Sequence, residues 1–416
     1  MLDARSVVTP ARVEQWRADT PGCSHRTHLN NAGAGLMPRP VTDAMVAHLR
    51  LESEIGGYEA ADARAQAVDE TYDALARLVG AAPRNIAIVG SATAGFIQTL
   101  SSFDFAPGDA IVTTRSDYTS YQIQYLALAK RLGVRVLHAE DAAQGGVDPD
   151  SVRDLLRRER EHVKLVAVSW IPTHSGLVQD VESVGAVCAE FGVPYSIDAC
   201  QAVGQVPIDV ARLRCDYLSV TARKFLRGPR GIGFMYASDR ALARGDHPLF
   251  VDMRGATWVA PDRYELADTA RRYENWEFSY ALVLGLGAAA RYALSVGVDV
   301  AQARAFALGA RVRELLQAVP GVQVLDRGPT LCAIVTAQIA GQDASDVVQR
   351  LRARGINTAA TLQWYGLLDL AERGVTSAVR LSPHYYNTDA ELEQAADAIR
   401  EIAGGLSCSS GTGDIA

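Results

Sequence analysis

Short apolar runs alternate with amphipathic stretches of helical length between about residues 85 and 237. This alternation is typical of a wound α/β layer, and runs that are apolar throughout indicate strands covered on both faces. We predict a mainly parallel sheet whose seven strands span residues 86–89, 110–114, 134–138, 165–169, 194–198, 217–220 and 231–236. Helices are predicted around it at residues 41–54, 64–79, 93–102, 120–132, 150–160 and 181–191.

After about residue 278 the pattern changes to that of a smaller α+β domain. Helices are predicted at 282–294, 301–316 and 344–354 and strands at 323–326, 332–337 and 378–382, with a long loop before the last strand. The final helix opens with a capping box, in which Thr388 and Glu391 satisfy each other's backbone donors. We predict four segments: an arm at 1–30 that joins the small domain, a large domain at 31–277, the small domain at 278–405 and a flexible tail at 406–416.

Composition excludes several classes of function. A net charge of −7 over 416 residues gives no basic footprint for nucleic acid, and no apolar stretch approaches the roughly 20 residues that span a bilayer. The first 30 residues lack the apolar core of a secretory signal. The six cysteines show no CxxC spacing and HExxH is absent, so neither a metal site nor a disulfide framework is expected. We expect a reduced, cytoplasmic setting.

Only three of the 41 basic residues are lysines: Lys130, Lys164 and Lys224. Arginine cannot replace lysine where the chemistry needs an amine that loses its proton, because the guanidinium stays charged. Lys130 and Lys164 are interpreted as solvated surface charges, whereas Lys224 follows a predicted strand inside the glycine-flanked segment 219–234. Lys224 is therefore a candidate for Schiff-base or general-base chemistry. The alternative is that this lysine is present by chance and has no chemical role.

A second feature lies where the predicted strand at 86–89 runs through small residues into a helix near Thr93. Free backbone N–H groups and the helix dipole make such a helix start an anion site, to which Thr93 adds a hydroxyl. An ordinary N-cap is the alternative. The Walker motif GxxxxGK[ST] is absent.

A third feature is Asp198, which ends a predicted buried strand, with Gln201 three residues later. A buried carboxylate is costly unless it is paired, so a cationic partner is expected. That partner is either an arginine or the protonated ring nitrogen of a cofactor, and Gln201 is placed to bond the same ligand.

Thr221 and Arg223 flank Lys224 at the end of another strand, and arginine suits a phosphate oxygen. An amine, a carboxylate for a ring nitrogen and donors for a phosphate are what a pyridoxal phosphate site must provide. Strand ends of a wound α/β sheet are also where its ligands bind. Together these features predict a pyridoxal phosphate site.

The chain resembles the class V aminotransferase family of pyridoxal phosphate enzymes of fold type I, from residues 28–33 to 380–388. The family includes cysteine desulfurases, C–S lyases and proteins similar to isopenicillin N epimerase. The resemblance implies that Lys224 forms the Schiff base, Asp198 holds the pyridine nitrogen and Gln201 holds the phenolic oxygen. It places four residues at the phosphate: Ala92, Thr93, Thr221 and Arg223.

The same resemblance implies the substrate contacts. Tyr118 stacks on the cofactor ring, and Arg380 grips the substrate carboxylate with Asn31 nearby. His174 either touches the substrate or satisfies a backbone group. The resemblance further implies a homodimer, with Trp258 or residues 275–277 reaching the partner's site.

One departure from the family concerns the loop at 358–370, where cysteine desulfurases carry a sulfur-accepting cysteine and this chain has none. Trp364 and Tyr365 in that loop suit a bulky substituent. The preferred interpretation is a lyase that cleaves the C–S bond of an S-substituted cysteine by β-elimination, in secondary metabolism. The alternatives are an amino-acid epimerase or aminotransferase, an oxidative or decarboxylating variant, and a binding protein without catalysis.

Overall fold

A seven-stranded sheet forms the centre of the molecule in the computed structural model, which describes residues 8–404. The strands in chain order are β1 (Thr27–His28), β2 (Ile86–Val89), β3 (Ala110–Thr114), β4 (Arg135–Ala139), β5 (Val163–Ser169), β6 (Tyr195–Asp198), β7 (Tyr217–Thr221), β8 (Gly233–Ala237), β9 (Ala256–Ala260), β10 (Arg263–Leu266), β11 (Val322–Val324), β12 (Val335–Ile339), β13 (Ile356–Asn357), β14 (Ala359–Leu362) and β15 (Ser377–Leu381). The large sheet has the order β2-β8-β7-β6-β5-β3-β4, and only β8 runs antiparallel to its neighbours.

The helices surround this sheet and a second, smaller one. In chain order they are α1 (Pro10–Ala18), α2 (Arg39–Ile55), α3 (Gly57–Ala63), α4 (Ala65–Val79), α5 (Ala92–Ser101), α6 (Thr119–Leu132), α7 (Pro149–Glu159), α8 (Val181–Phe191), α9 (Val210–Leu213), α10 (Asp239–Ala243), α11 (Tyr280–Val296), α12 (Val298–Gln317), α13 (Ala344–Ala353), α14 (Leu367–Glu372) and α15 (Asp389–Gly404). The second sheet is antiparallel, with the order β11-β12-β15-β14.

The predicted fold class is confirmed, because the seven predicted strands all occur within two residues of their predicted bounds and the sheet is mainly parallel. The capping box is also present: the Thr388 N–H donates to Glu391 Oε2 at 3.0 Å, and the Glu391 N–H donates to Thr388 Oγ1 at 3.3 Å. The predicted tail at 406–416 lies outside the described residues. The four domain boundaries stay predictions.

The prediction of a long loop before the last strand was wrong. Residues 356–372 form β13, β14, a 3-10 helix (Gln363–Gly366) and α14. β13 pairs in parallel with β1, and β14 adds an edge to the small sheet. These strands have two to four residues each and gain their stability from long-range pairing, so their local pattern is weak.

Separate apolar clusters lie under the two sheets. The strands β2, β3, β6 and β8 are buried along their whole length, as expected for strands with helices on both faces. The smaller cluster packs α12, α13 and α15 against the four-stranded sheet and includes Leu29, which follows β1. The segment that contains β1 is thus tied to the small sheet.

The described residues contain neither a single helix that could span a membrane nor a cluster of side chains that could hold a metal ion. Between residues 8 and 404 no single helix is long and apolar enough to cross a membrane, and α11 with α12 meets the length and composition test only as a pair bent by 79°. In the same range no group of three or more His, Cys, Asp or Glu side chains is placed to hold a metal ion.

Glu274 connects β2, the edge strand of the large sheet, to α4. The buried carboxylate accepts hydrogen bonds from the Ile88 N–H at 2.7 Å and from the Tyr72 hydroxyl at 2.8 Å, and Arg254 Nε lies 3.8 Å away. Burial raises the pKa of Glu274 to about 7. Because the folded pKa lies above that of the unfolded chain, this carboxyl contributes stability at low pH that is lost as the pH rises towards 7.

We predict that Glu274→Gln destabilises the fold more at pH 5 than at pH 8. The difference between the two values should be about 2 kcal/mol, because the variant lacks the proton uptake that favours the folded wild type at pH 5. Urea unfolding at both pH values measures it. The matched control is Glu265→Gln on exposed β10, which should show no such difference, and an effect of Glu274→Gln that is independent of pH would contradict the assignment.

Candidate functional site

The carboxyl ends of β5, β6 and β7 meet at one edge of the large sheet. The parallel register places Ser169 beside Asp198 and Asp198 beside Ser219. Asp198 is the last residue of β6, and Thr221 is the last residue of β7. Residues that leave these strands therefore project from the same edge, where wound α/β folds bind their ligands.

Lys224 lies on a tight turn directly after β7. The turn is closed by the Gly228 N–H, which donates to Ala222 O at 2.8 Å, and by the Arg227 N–H, which donates to Lys224 O at 2.9 Å. Gly35 packs on this turn so closely that a Cβ atom there would lie 2.6 Å from Lys224 O. The backbone that carries the amine is thus held from both sides.

The Arg227 side chain fastens the turn to the rest of the molecule. It is fully buried and has a positive φ of 61°. Its guanidinium donates to Leu36 O at 2.8 Å, to the Tyr385 hydroxyl at 2.6 Å and to Thr20 Oγ1 at 2.5 Å, and it lies 4.4 Å from the Tyr386 ring centroid. One arginine therefore connects the lysine turn to the N-terminal segment and to the loop between β15 and α15, which contains Tyr385 and Tyr386.

The amine of Lys224 is buried and lies 5.8 Å from the centre of the Tyr118 ring. Burial lowers the pKa of Lys224, although nearby Cys200 and Asp198 act in the opposite direction. Among residues 8–404, Lys224 has no carboxylate within the 4.0 Å of an ion pair. An amine in this setting loses its proton readily, which is the property that Schiff-base and general-base chemistry require.

Asp198 and Gln201 each have a polar atom that makes no short hydrogen bond to another described residue. Asp198 Oδ1 accepts from the Cys200 N–H at 2.8 Å, whereas Oδ2 has Ser169 Oγ only at 3.4 Å. No arginine lies within ion-pair distance of Asp198 in the described part of the chain, so the structure does not support the arginine alternative. Gln201 Oε1 is buried without a hydrogen-bond partner. A buried polar ligand would satisfy both groups.

The residues predicted to hold the phosphate lie at the start of α5 and beside the lysine turn. Ser91, and not Thr93, is the N-cap, and its hydroxyl accepts from the Ala94 N–H at 3.1 Å. The N–H groups of Ala92 and Thr93 belong to the first turn and have no helical acceptor. Arg223 donates to Gly33 O, and Thr221 ends β7, so both flank the lysine turn as predicted from their spacing.

Arg380 is buried on β15 and faces the large sheet. Its Nη1 donates to Thr173 O at 2.7 Å and to Thr173 Oγ1 at 2.9 Å, its Nη2 lies 3.4 Å from Asn30 Oδ1, and its Nε has no partner. Burial lowers the pKa of Arg380 to about 10, so it stays cationic at neutral pH. Asn31 instead bonds Ser382 O at 2.8 Å and the Tyr386 hydroxyl at 2.6 Å.

His174 and Trp364 mark the boundary with the small sheet. His174 Nε2 lies 3.4 Å from Asp369 Oδ2, and the histidine ring packs directly on Gly366. The Trp364 carbonyl accepts from Thr119 Oγ1 at 2.9 Å, while its ring is 55% exposed. Both residues therefore hold the segment 363–372 against the large sheet, and their substrate contacts stay predictions.

Sequence reasoning missed Asp117, Ser169 and Thr173. Asp117 precedes Tyr118 and accepts from its backbone N–H at 2.7 Å. Thr173 joins Arg380 to Gln201, whose Nε2 donates to Thr173 Oγ1 at 3.1 Å. The available signal was position: Asp117 follows β3 and Ser169 ends β5, at the same edge as Asp198.

The family model for aminotransferase class V matches residues 27–395. The chain therefore belongs to the class V aminotransferase family of pyridoxal phosphate enzymes. Its cofactor is pyridoxal phosphate, and the resemblance inferred from the motifs is confirmed.

Similar proteins carry two kinds of names. The chain is 26% identical over 402 residues to a probable cysteine desulfurase of Methanothermobacter thermautotrophicus, which covers 94% of this chain and 98% of the relative. It is 26% identical over 400 residues to a probable hercynylcysteine sulfoxide lyase of Mycobacterium tuberculosis, covering 95% of each. A solved cysteine desulfurase of Thermococcus onnurineus NA1 has the same fold, with a TM-score of 0.85, 23% identity and coverage of 94% of this chain and 98% of that one.

The residues at this edge fit the cofactor. Two buried polar atoms, Gln201 Oε1 and Arg380 Nε, have no partner, and the carboxylate of Asp198 has no ion pair among the described residues. A protonated ring nitrogen would donate to Asp198, a phenolic O–H would donate to Gln201 Oε1, and a substrate carboxylate would accept from Arg380 Nε.

We predict that Lys224→Ala and Lys224→Arg both lose the covalent link to the cofactor, because neither side chain forms a Schiff base with its aldehyde. The wild type should be yellow, and borohydride reduction should attach the cofactor to the peptide that contains Lys224, as read by mass spectrometry. Lys130→Arg and Lys164→Arg are matched controls, since they replace the other two lysines, and both should stay yellow. Attachment of the cofactor to another lysine in the reduced wild type, or turnover by Lys224→Arg, would contradict the assigned role.

Proposed function

We propose that this chain is a lyase that cleaves the C–S bond of an S-substituted cysteine by β-elimination, in the biosynthesis of a sulfur-containing natural product. The observation that carries the proposal is that residues 8–404 bring no usable thiol to the site. A desulfurase needs a thiolate to accept sulfur, whereas a β-eliminating lyase lets the sulfur leave with its substituent.

The thiol that interacts electrostatically with Lys224 is Cys200, and it is poorly suited to attack sulfur. It is buried, and its backbone N–H donates to Asp198 Oδ1 at 2.8 Å. Burial raises the pKa of Cys200 well above its usual range. Because the thiolate and not the thiol is the nucleophile, Cys200 stays inert at neutral pH.

The segment 358–372 lies beside Arg380, with which Ala359 pairs, and it carries aromatic residues in place of a thiol. It is fixed to the large sheet by the ion pair of Arg115 with Glu372 and by the hydrogen bond from Thr119 to Trp364 O. The rings of Trp364 and Tyr365 meet edge to face, with centroids 4.3 Å apart. An aromatic wall supports a substrate whose sulfur carries a large substituent.

The protein groups divide the chemistry among themselves. Arg380 offers a planar guanidinium, held by Thr173, to the substrate carboxylate. Asp198 holds the proton on the cofactor's ring nitrogen, and Lys224 takes a proton from the substrate's Cα. Pyridoxal phosphate, when bound, supplies an aldehyde for the substrate amine and a ring that accepts the electrons of the bond broken at Cα.

The bonds balance without an oxidant. Lys224 removes the Cα proton, the Cβ–S bond breaks and the sulfur leaves with the electron pair. The sulfur takes up a proton to become a thiol, and hydrolysis of the remaining three-carbon unit gives pyruvate and ammonia. The name of the Mycobacterium tuberculosis relative supports this reaction class.

We predict that the holoenzyme releases pyruvate and a thiol in equal amounts from S-substituted cysteines such as S-benzylcysteine. A lactate dehydrogenase assay measures pyruvate, and a disulfide reagent measures the thiol. Arg380→Lys should raise KM for these substrates by about tenfold or more with a smaller change in kcat, because it loses a two-pronged contact with the carboxylate.

Two outcomes would contradict the lyase. Alanine with a protein-bound persulfide, detected by mass spectrometry, would identify a desulfurase. Deuterium from solvent entering Cα without loss of the side chain would favour the epimerase or aminotransferase interpretation.

We further propose that the active enzyme is a homodimer in which a second copy covers the hairpin β9–β10 and the preceding loop. Large apolar side chains are exposed there, among them Phe250 at 83%, Trp258 at 78% and Met253 at 67%. Exposed patches of this kind mark association surfaces. Arg254, on the same loop, donates to the carbonyls of Asn275 and Trp276 and so supports the segment 275–277 beside the hairpin.

We predict that light scattering gives twice the mass of one chain, and that Trp258→Asp combined with Phe250→Asp gives a monomer with reduced turnover. The charges place two desolvation penalties in the proposed interface. A wild-type monomer that is fully active would contradict the dimer.

A further inference from the structure

Asp117 is a buried carboxylate beside the cofactor site that none of the roles above uses. It lies in the turn between β3 and α6 and is 2% exposed. Its Oδ2 accepts from the hydroxyls of Thr113 at 2.7 Å and Tyr125 at 3.0 Å. Its Oδ1 accepts from the Tyr118 N–H at 2.7 Å and from the Ser169 hydroxyl at 2.5 Å.

All four partners of Asp117 are donors, and no cation lies within 4.0 Å in the described part of the chain. Four hydrogen bonds to a carboxylate favour its charged form. Burial raises the pKa of Asp117 to about 6, against these hydrogen bonds. The group is therefore mainly ionised at pH 7.5 and acts as an acceptor.

Ser169 stands between two carboxylates. Its Oγ lies 2.5 Å from Asp117 Oδ1 and 3.4 Å from Asp198 Oδ2. A hydroxyl has one hydrogen to donate, and a charge-assisted O–H···O⁻ bond has the shorter of these two lengths. The Ser169 hydrogen is accordingly committed to Asp117, and Asp198 Oδ2 keeps its lone pairs free.

We propose that Asp117 is a positioning residue that keeps the proton of Ser169 away from Asp198 and so leaves the lone pairs of Asp198 Oδ2 free to accept from the cofactor's ring nitrogen. The same carboxylate holds the backbone of Tyr118, whose ring lies beside Lys224. Asp117 thus sets the ring's protonation through Ser169 and touches neither the cofactor nor the substrate. The proposal concerns the cofactor ring and holds whichever bond of the substrate is cleaved.

The test compares the wild type with Asp117→Asn, Ser169→Ala and the double variant, each reconstituted with pyridoxal phosphate labelled with ¹⁵N in the ring. Asparagine keeps the shape of Asp117 and loses its charge, so Asp198 becomes the stronger acceptor for the Ser169 proton. The ¹⁵N chemical shift should show that the pKa of the ring nitrogen falls by about one to two pH units in Asp117→Asn, the size expected for one hydrogen bond to a charged group.

The double variant separates the Ser169 route from simple charge loss. Ser169→Ala should leave the ring protonated as in the wild type, because no hydroxyl remains to compete for Asp198. In the Ser169→Ala background, Asp117→Asn should then change the ¹⁵N shift little. An equal effect of Asp117→Asn in both backgrounds, or no effect in either, would overturn the proposal.

Neutron diffraction from the wild-type holoenzyme provides a second test that does not depend on the variants folding. Deuterium on Ser169 Oγ should point to Asp117 Oδ1. Deuterium directed at Asp198 Oδ2 would contradict the proposal.

Discussion

The structure is organised around two buried groups, the amine of Lys224 and the carboxylate of Asp198. Neither has an ion-pair partner among residues 8–404. Burying a charge without a partner is costly, so the surrounding fold has to hold both groups in place. The lysine turn is closed by its own backbone bonds and fastened by Arg227. Asp198 is fixed by its strand register and by the Cys200 N–H. A cofactor with a cationic ring and an aldehyde relieves both costs at once.

The two sheets have different tasks in this arrangement. The large sheet brings Asp198, Lys224 and the start of α5 to one edge, because its parallel strands end together. The small sheet carries Arg380 to the same edge on β15. Contacts such as those of Arg227 with Tyr385 and of Arg380 with Thr173 hold the two parts together. The proposed contact of Arg380 with the substrate carboxylate thus depends on packing between the sheets as well as on the lysine turn.

Much of the large sheet could be predicted from the sequence, because its strands are apolar throughout and are separated by helices of regular period. Lys224, Asp198 and Thr93 were predicted as site residues because the ends of strands are a recognisable position, and the structure places Asp198 at the end of β6 and Lys224 directly after β7. The strands β13 and β14 could not, since two to four residues leave no period to detect. Asp117 and Ser169 were missed because their role comes from a spatial contact across 52 positions of sequence, and a lone serine or aspartate carries no local signal of it.

A crystal structure of the protein with pyridoxal phosphate shows directly whether Lys224 and Asp198 hold the cofactor. We expect continuous density from Lys224 Nζ to the aldehyde carbon of the cofactor, with the ring nitrogen within about 3 Å of an Asp198 carboxylate oxygen. A cofactor bound elsewhere, or a ring nitrogen turned away from Asp198 while Lys224 stays free, would contradict it.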